Sequence, residues 1–386
     1  MNTILNNVVK YTLKVVLSVV PIVLILMGLI YLFTTIYIFP PSLPFSGNHI
    51  YNPYQELPDS SFKANFHAHS KAWKGITHGG NTEKEIFDAY IERGYDVATI
   101  SNYHNISTYA KDKTDLYFPG YEHGYNILKS HYLVINAENV SFFDFPMWQS
   151  SSHQQYVLNK IKEKNKFVAI AHPKFGGGRS LEDMQKLVNY DFTEVLNHYR
   201  VSDEYWDHGL SAGRLSWIIG NDDIHATSDD PIFRIWNIIH ANERNQDIIM
   251  SSLKAGKNYA IESYNTQTEN LLLSCQMKDS VTFAIRLRNI ADSIQIIGQG
   301  GNLKKSVIQS DTIQYSFQHD DSYLRVVVHN SQSRLYLNPL VRYDGFALPY
   351  DVAKELKVDQ VATWSIRASI FMGILLLLYM VKSIWI

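Results

Sequence analysis

Two histidines, His67 and His69, stand one residue apart in Asn65-Phe66-His67-Ala68-His69-Ser70. They follow a short β run, and the two-residue period of a strand sets both imidazoles on one face. Such a pair alone is more often a pair of surface side chains than a metal site. The later apolar runs shift that balance, because each leads into residues able to bind metal. Val97–Ser101 leads to Asn102, Tyr103 and His104, and Tyr132–Ala137 to Glu138. Phe167–Ala171 leads to His172-Pro173, and Trp217–Gly220 to Asp223 and His225. Imidazole nitrogens and carboxylates in this mixture suit zinc, manganese or iron, with Glu138 placed to bridge two ions. Ions so held acidify a bound water and clamp phosphate oxygens, which is the chemistry of a metal-dependent hydrolase. No Ser-His-Asp grouping competes with it, and the single cysteine, Cys275, reads as a core residue that can form no internal disulfide.

A phosphate also needs positive charge. Lys174 and Arg179 flank Phe175-Gly176-Gly177-Gly178 just after His172-Pro173, and a glycine-rich loop lets backbone N–H groups approach an anion. Arg200 is a third candidate substrate contact, with Lys71, Lys74 and His198 near the same stretch.

The elements that must position these groups are legible as an alternation. From residue 63 to 263, short buried strands, Glu194–Asn197 among them, alternate with helical patterns at Thr82–Arg93, Gln154–Lys164 and Asp247–Ala255. Thr82 and Glu85 are spaced as a capping box. Strand–helix alternation favours an α/β fold with a parallel sheet closed as a barrel, whose strand C-termini converge on one mouth. Between 264 and 350 the pattern becomes alternating strands with Gly- and Asn-rich turns, expected to form a small β-sandwich.

Both ends are apolar. Val15–Phe39 carries no charge and is long enough to cross ~30 Å of hydrocarbon as a helix, so residues 1–40 read as an N-terminal membrane anchor. A Pro-rich linker, 41–62, follows. Lys10 and Lys14 ahead of the span favour a cytoplasmic N-terminus. Ala368–Val381, bracketed by Arg367 and Lys382, reads as a second transmembrane helix within 361–386. Two spans place everything between them outside the cytoplasmic membrane.

The series His67-Ala68-His69-Ser70, Asn102-Tyr103-His104, Ala137-Glu138, Ala171-His172-Pro173, Glu194-Val195-Leu196-Asn197 and Asn221-Asp222-Asp223-Ile224-His225 resembles the polymerase and histidinol phosphatase (PHP) superfamily. The resemblance covers about 63–263 and implies a distorted (β/α)7 barrel with two or three divalent ions that hydrolyses phosphate esters. By that likeness His67, His69, Glu138 and Asp223 would hold one metal, Glu138 and His172 would serve a second, and His78, His104 and His225 a third. The family usually supplies another histidine soon after the glutamate. Here Asn139-Val140-Ser141-Phe142-Phe143-Asp144 follows, and His153 reads as part of the next helix, which leaves three alternatives for the second metal: weakly held, held with Asp144, or absent.

Charge narrows the substrate. With 35 basic against 37 acidic residues the net charge is −2, which offers no electrostatic grip on long nucleic acid. A tethered, externally facing domain favours a lipid phosphate or an envelope sugar phosphate. A nucleotide or oligonucleotide substrate, or a non-catalytic metal-binding sensory or structural module, are the alternatives. The oligomeric state is not legible.

Overall fold

The structure, a computed structural model, describes residues 2–75, 79–228, 232–264, 270–348 and 356–386. Its terminal helices, Asn2–Tyr31 and Gln360–Trp385, are each long and apolar enough to cross a membrane. They lie antiparallel against each other. At one end the Tyr11 and Trp385 rings are 6.4 Å apart and the Trp385 indole donates to the Ser18 hydroxyl at 2.9 Å. Toward the other end the Arg367 guanidinium donates to the Thr34 carbonyl at 2.8 Å. Just beyond, Tyr37–Ile38 pairs antiparallel with Lys357–Val358, and the Asp359 side chain caps the C-terminal helix through Ala362 N. Lys10, Lys14 and Lys382 therefore sit toward the end of the pair away from the folded domain.

Between the helices the chain is a mixed α/β structure with two main sheets. In the first, the order Gly120–His123, Tyr132–Ile135, Phe167–Ile170, Phe192–Asn197, Trp217–Asn221 places the last three strands parallel. The strand Tyr132–Ile135 is reversed and runs antiparallel to both neighbours. In the second sheet, Ser61–Asn65 pairs parallel with Val97–Ala98 and antiparallel with Ile235–His240. Asn258–Ser263 follows, and Ser333–Leu337 pairs with it, so the sheet passes unbroken into the antiparallel strands between Leu272 and Tyr343. Two isolated parallel bridges, Ala68↔Ile224 and Tyr103↔Glu122, join the two sheets.

Helices at Glu83–Ile91, Ser151–Lys162 and Gln246–Lys254 match the three expected stretches to within a few residues. Thr82 and Glu85 form the capping box, the Thr82 hydroxyl taking Glu85 N while the Glu85 carboxylate takes Thr82 N. His153 lies in the first turn of Ser151–Lys162, where it closes a similar box with Ser150. Apolar side chains, among them Phe66, Phe118, Leu133, Ala169, Phe192 and Ile218, fill one core cluster and hold these strands in place. Burial of this kind contributes ~25 cal/mol per Å² of apolar surface.

A candidate metal centre

His67 follows the strand Ser61–Asn65, and its carbonyl accepts Asp223 N at 2.9 Å while His69 N donates to the Ile224 carbonyl at 2.8 Å. Those backbone bonds bring two segments far apart in sequence into register at one point. His67, His69, Glu122 and Asp223 are all buried there, their donor atoms within 4.8 Å of one another. Five of the six separations within His67 Nε2, His69 Nε2, Glu122 Oε2 and Asp223 Oδ1 lie at 3.1–3.3 Å. The centre of a regular tetrahedron with such edges is ~2.0 Å from each corner, the bond length of zinc to imidazole nitrogen or carboxylate oxygen.

A second group shares one member. Glu122 Oε1 meets His131 Nδ1 at 2.7 Å and His172 Nε2 at 3.0 Å. The two oxygens of Glu122 are thus divided between two donor sets, the arrangement that bridges a pair of cations. Glu122 Oε2, Asp223 Oδ1, His69 Nδ1 and His172 Nδ1 are buried without a hydrogen-bond partner. Buried polar atoms are normally satisfied. Two unsatisfied carboxylate oxygens converging with imidazole nitrogens fit a divalent ion.

The outer partners are equally ordered. Glu194 Oε1 accepts from His67 Nδ1 at 2.9 Å, which leaves the Nε2 lone pair directed into the site. The same carboxylate takes Asn221 Nδ2 at 2.8 Å, His172 N at 2.9 Å and Asn197 Nδ2 at 3.1 Å. His172 and Asp223 hold positive φ angles of 25° and 50°, backbone strain of the kind found where side-chain placement is constrained.

Charges respond accordingly. Burial opposes the charged form of His67, yet Asp223, Glu194 and Glu122 outweigh it and hold the imidazole well above its usual value. Burial also opposes ionisation of Glu122, but His131 and His67 draw its carboxyl well below the usual range. Asp223 is lowered too: His67 and His69 overcome its burial. Tyr103, stacked on His69 at 4.7 Å, is pushed upward by burial and by the charges of Glu122 and Asp223, so it stays a protonated phenol.

Of the residues expected from sequence, His67, His69, His172 and Asp223 come together here. His225 stands at the mouth, its ring 4.4 Å from that of His69 and its Nδ1 3.1 Å from the Asp223 carbonyl. His78 lies outside the described residues. Glu138 does not reach the site. It is exposed beside Lys166, at 3.4 Å. The reason is direction: because Tyr132–Ile135 is reversed, the residues after it emerge at the edge opposite the metal centre. For the same reason His131, just before that strand, is delivered into the site. The place expected of Glu138, between two donor sets, is occupied by Glu122.

His104 is also displaced. Its Nδ1 lies 2.9 Å from the Ser141 carbonyl and its Nε2 accepts Gly124 N at 3.2 Å, so both nitrogens are committed to backbone groups. Tyr103, one residue earlier, faces the centre instead. Asp144 is held by Tyr125 N, Phe145 N and Gln149 Nε2 and takes no part.

Arg179 is buried, donating to Gln154 Oε1 and to the His131 carbonyl at 3.0 Å, with its guanidinium over the Tyr132 ring. It supports His131 from behind and does not face substrate. Gly176 and Gly178 serve packing: a Cβ on Gly178 would stand 2.4 Å from the Leu128 carbonyl oxygen and 2.6 Å from Ser130 N. Lys174 and Arg200 are exposed.

Sequence reasoning missed Glu122, His131 and the role of Tyr103. Gly120–His123 is four residues long and all buried, and its Gly-Tyr-Glu-His sequence contains no apolar run to mark it as a strand. The one available signal was the spacing Glu122…His131, a glutamate followed nine positions later by a histidine that opens an apolar strand.

No family model matches the chain, and no curated protein matches it. Among solved structures, the chain is similar to one from Bacteroides vulgatus described as a two-domain protein containing a predicted PHP-like metal-dependent phosphoesterase. Identity is 14%, the match covers 79% of this chain and 92% of that one, and the TM-score is 0.40. Likeness at that level carries no argument about function.

Proposed function

We propose that this protein is a membrane-tethered, metal-dependent phosphoesterase that cleaves a phosphate ester, with a phosphomonoester favoured over a diester. The observation that carries the reading is the division of the Glu122 oxygens between two buried donor sets. The residue motifs that resemble the PHP superfamily support it. So does the circuit of strands linked by the Ala68↔Ile224 and Tyr103↔Glu122 bridges, which we read as the expected distorted barrel of seven strands.

His67, His69, Glu122 and Asp223 would hold one divalent ion, and Glu122, His131 and His172 a second; zinc, manganese or iron suits the donors. When bound, such ions supply a nucleophilic water at neutral pH and neutralise phosphate charge. The chain's own groups do the rest. Glu194 fixes the His67 tautomer, and Asn197 Nδ2, 3.1 Å from Asp223 Oδ2, orients that carboxylate. Tyr103 remains protonated at the mouth and offers a hydroxyl proton to a phosphate oxygen. Exposed Lys174 and Arg200 can draw an anion toward the opening.

The two terminal helices favour a membrane location, with Lys10, Lys14 and Lys382 at the cytoplasmic end and the catalytic domain on the far side. A lipid phosphate or envelope sugar phosphate is then the favoured substrate class. Metal content of the purified full chain, measured beside turnover of a phosphomonoester and phosphodiester panel, tests the proposal. About two ions per chain with phosphomonoester turnover abolished in His67→Ala is the expected result. Stoichiometric metal with no turnover of any phosphoester would replace it with a binding role.

A further inference from the structure

The rim of the metal centre is continuous with the foot of the N-terminal helix. Tyr31, the last residue of that helix, accepts Met147 N on its hydroxyl at 3.2 Å, and that hydroxyl donates to the Trp148 carbonyl at 3.1 Å. Its ring lies 5.1 Å from Phe145, and Phe33 meets Phe143 edge-on at 5.5 Å. The loop 140–149 is therefore fixed to the point where the helix ends. The same loop also borders the site. Ile127 N donates to the Pro146 carbonyl at 3.0 Å, Tyr125 N to Asp144 Oδ2 at 2.9 Å, and the His104 ring stacks on Phe142 at 5.7 Å. Residues 124–130 are the connection between the metal-site residues Glu122 and His131.

These two loops expose large apolar side chains together: Phe142 is 60% exposed, Trp148 65%, Ile127 60% and Tyr125 49%. Lys129, exposed among them, lies with its ammonium 4.9 Å from the Phe175 ring, which in turn sits against His172. Scattered exposed apolar residues need no explanation, but four large ones on two hydrogen-bonded loops, with the His104 ring between Tyr125 and Phe142 and a lysine on the same loop, do. Aromatic side chains at the end of a span, with a lysine beside them, have the chemistry of a bilayer interface.

We infer that Tyr125, Ile127, Phe142 and Trp148 form a membrane-contacting rim that seats the metal centre against the bilayer, so that a phosphate borne by a lipid enters from the membrane side. The inference rests on the reading of the terminal helices as membrane spans and of the centre as a phosphoesterase, and it deepens that reading by fixing the substrate's route. Continuity with the Tyr31 end of the helix selects the bilayer as the occupant of this surface. A rim built this way holds the head group beside the site while the acyl chains remain in lipid.

The test uses the full chain in nanodiscs. Cys275 is buried, so a cysteine introduced at the surface is the accessible thiol. An environment-sensitive fluorophore on Phe142→Cys is compared with one on Ile308→Cys, which is 76% exposed on the strand Asn302–Ser316. Emission at 142 is expected to shift to the blue and be quenched by brominated lipids, while 308 stays in water. A label at 142 as wet as that at 308, or one shifted to the blue yet not quenched by brominated lipids, overturns the inference. Turnover separates this from the parent reading. Phe142→Ser combined with Trp148→Ser should lower hydrolysis of phosphatidate in vesicles by roughly tenfold or more, yet change that of soluble p-nitrophenyl phosphate less than about twofold. Equal loss on both substrates overturns the inference. Absence of turnover on both by the unaltered chain sinks the phosphoesterase reading and leaves the labelling result to decide the rim.

Discussion

Exchanging Glu122 for glutamine tests the centre most sharply, because it keeps the shape and removes the charge. Glu122 Oε2 lies 3.1 Å from His69 Nε2 and 3.3 Å from His67 Nε2, while Oε1 lies 2.7 Å from His131 Nδ1 and 3.0 Å from His172 Nε2. A glutamine has one carbonyl oxygen and one NH2, so it can ligate on one side only and must point a donor at the other. Losing a residue that merely orients a ligand costs ~10–100-fold in metal affinity. Losing a ligand shared by two sets should cost at least the upper end of that range for one ion. Metal content after gel filtration in metal-free buffer is expected to fall by about one ion per chain, and phosphoester turnover by roughly two orders of magnitude or more. Glu138→Gln is the matched control, since Glu138 sits exposed beside Lys166. It should leave both readouts unchanged. If Glu122→Gln keeps its full metal complement, or Glu138→Gln loses it, the assignment of the bridging carboxylate is wrong.

Three further outcomes follow from other parts of the structure. His131→Asn should remove the second ion and keep the first, read as roughly half the metal content with a folded circular-dichroism spectrum; loss of all metal would show that the two sets are not separable. Asp207 accepts from buried Arg325, Nε at 2.7 Å and Nη2 at 2.5 Å, so Asp207→Ala leaves that charge unpaired and should destabilise the chain by ~3–5 kcal/mol in detergent unfolding. The Asp207→Leu/Arg325→Met pair should recover most of the loss, and no recovery would show that packing, not charge, dominates there. Burial depresses His153 from 6.5 to about 4, and its Nδ1 accepts Ser150 N at 3.2 Å only while neutral. The unfolded chain therefore takes up this proton first: the contribution, at most ~3 kcal/mol, is present above pH 6.5 and is lost as pH falls toward 4. His153→Gln should flatten that part of the unfolding profile, and unchanged curves would rule the group out.

What could be read from the sequence depended on strand direction more than on residue type. His67, His69, His172 and Asp223 were legible because each follows a strand whose C-terminal end faces the centre, so apolar run and ligand appear in that order. Tyr132–Ile135 inverts the order. Its hydrophobic pattern is indistinguishable from that of its neighbours, since side-chain alternation carries no information about which way a strand runs. Glu138, beyond its far end, was therefore assigned the place between donor sets that Glu122 occupies, and the histidine ahead of it, His131, went unnoticed. A second loss came from register. Val97–Ala98 is only two residues long, and the chain beyond it reaches the site through the Tyr103↔Glu122 bridge, with His104 at φ 50° turned toward Ser141. One residue of drift there exchanges a ligand for a phenol. Both errors have one physical origin: the donor atoms meet through contacts between strands, which no run of residues contains. The single reversed strand also explains why Glu122 and His131, nine positions apart, meet across the turn end of a short antiparallel hairpin. That connection is the loop 124–130, so the segment that completes the second donor set is the one that carries Tyr125 and Ile127 to the rim.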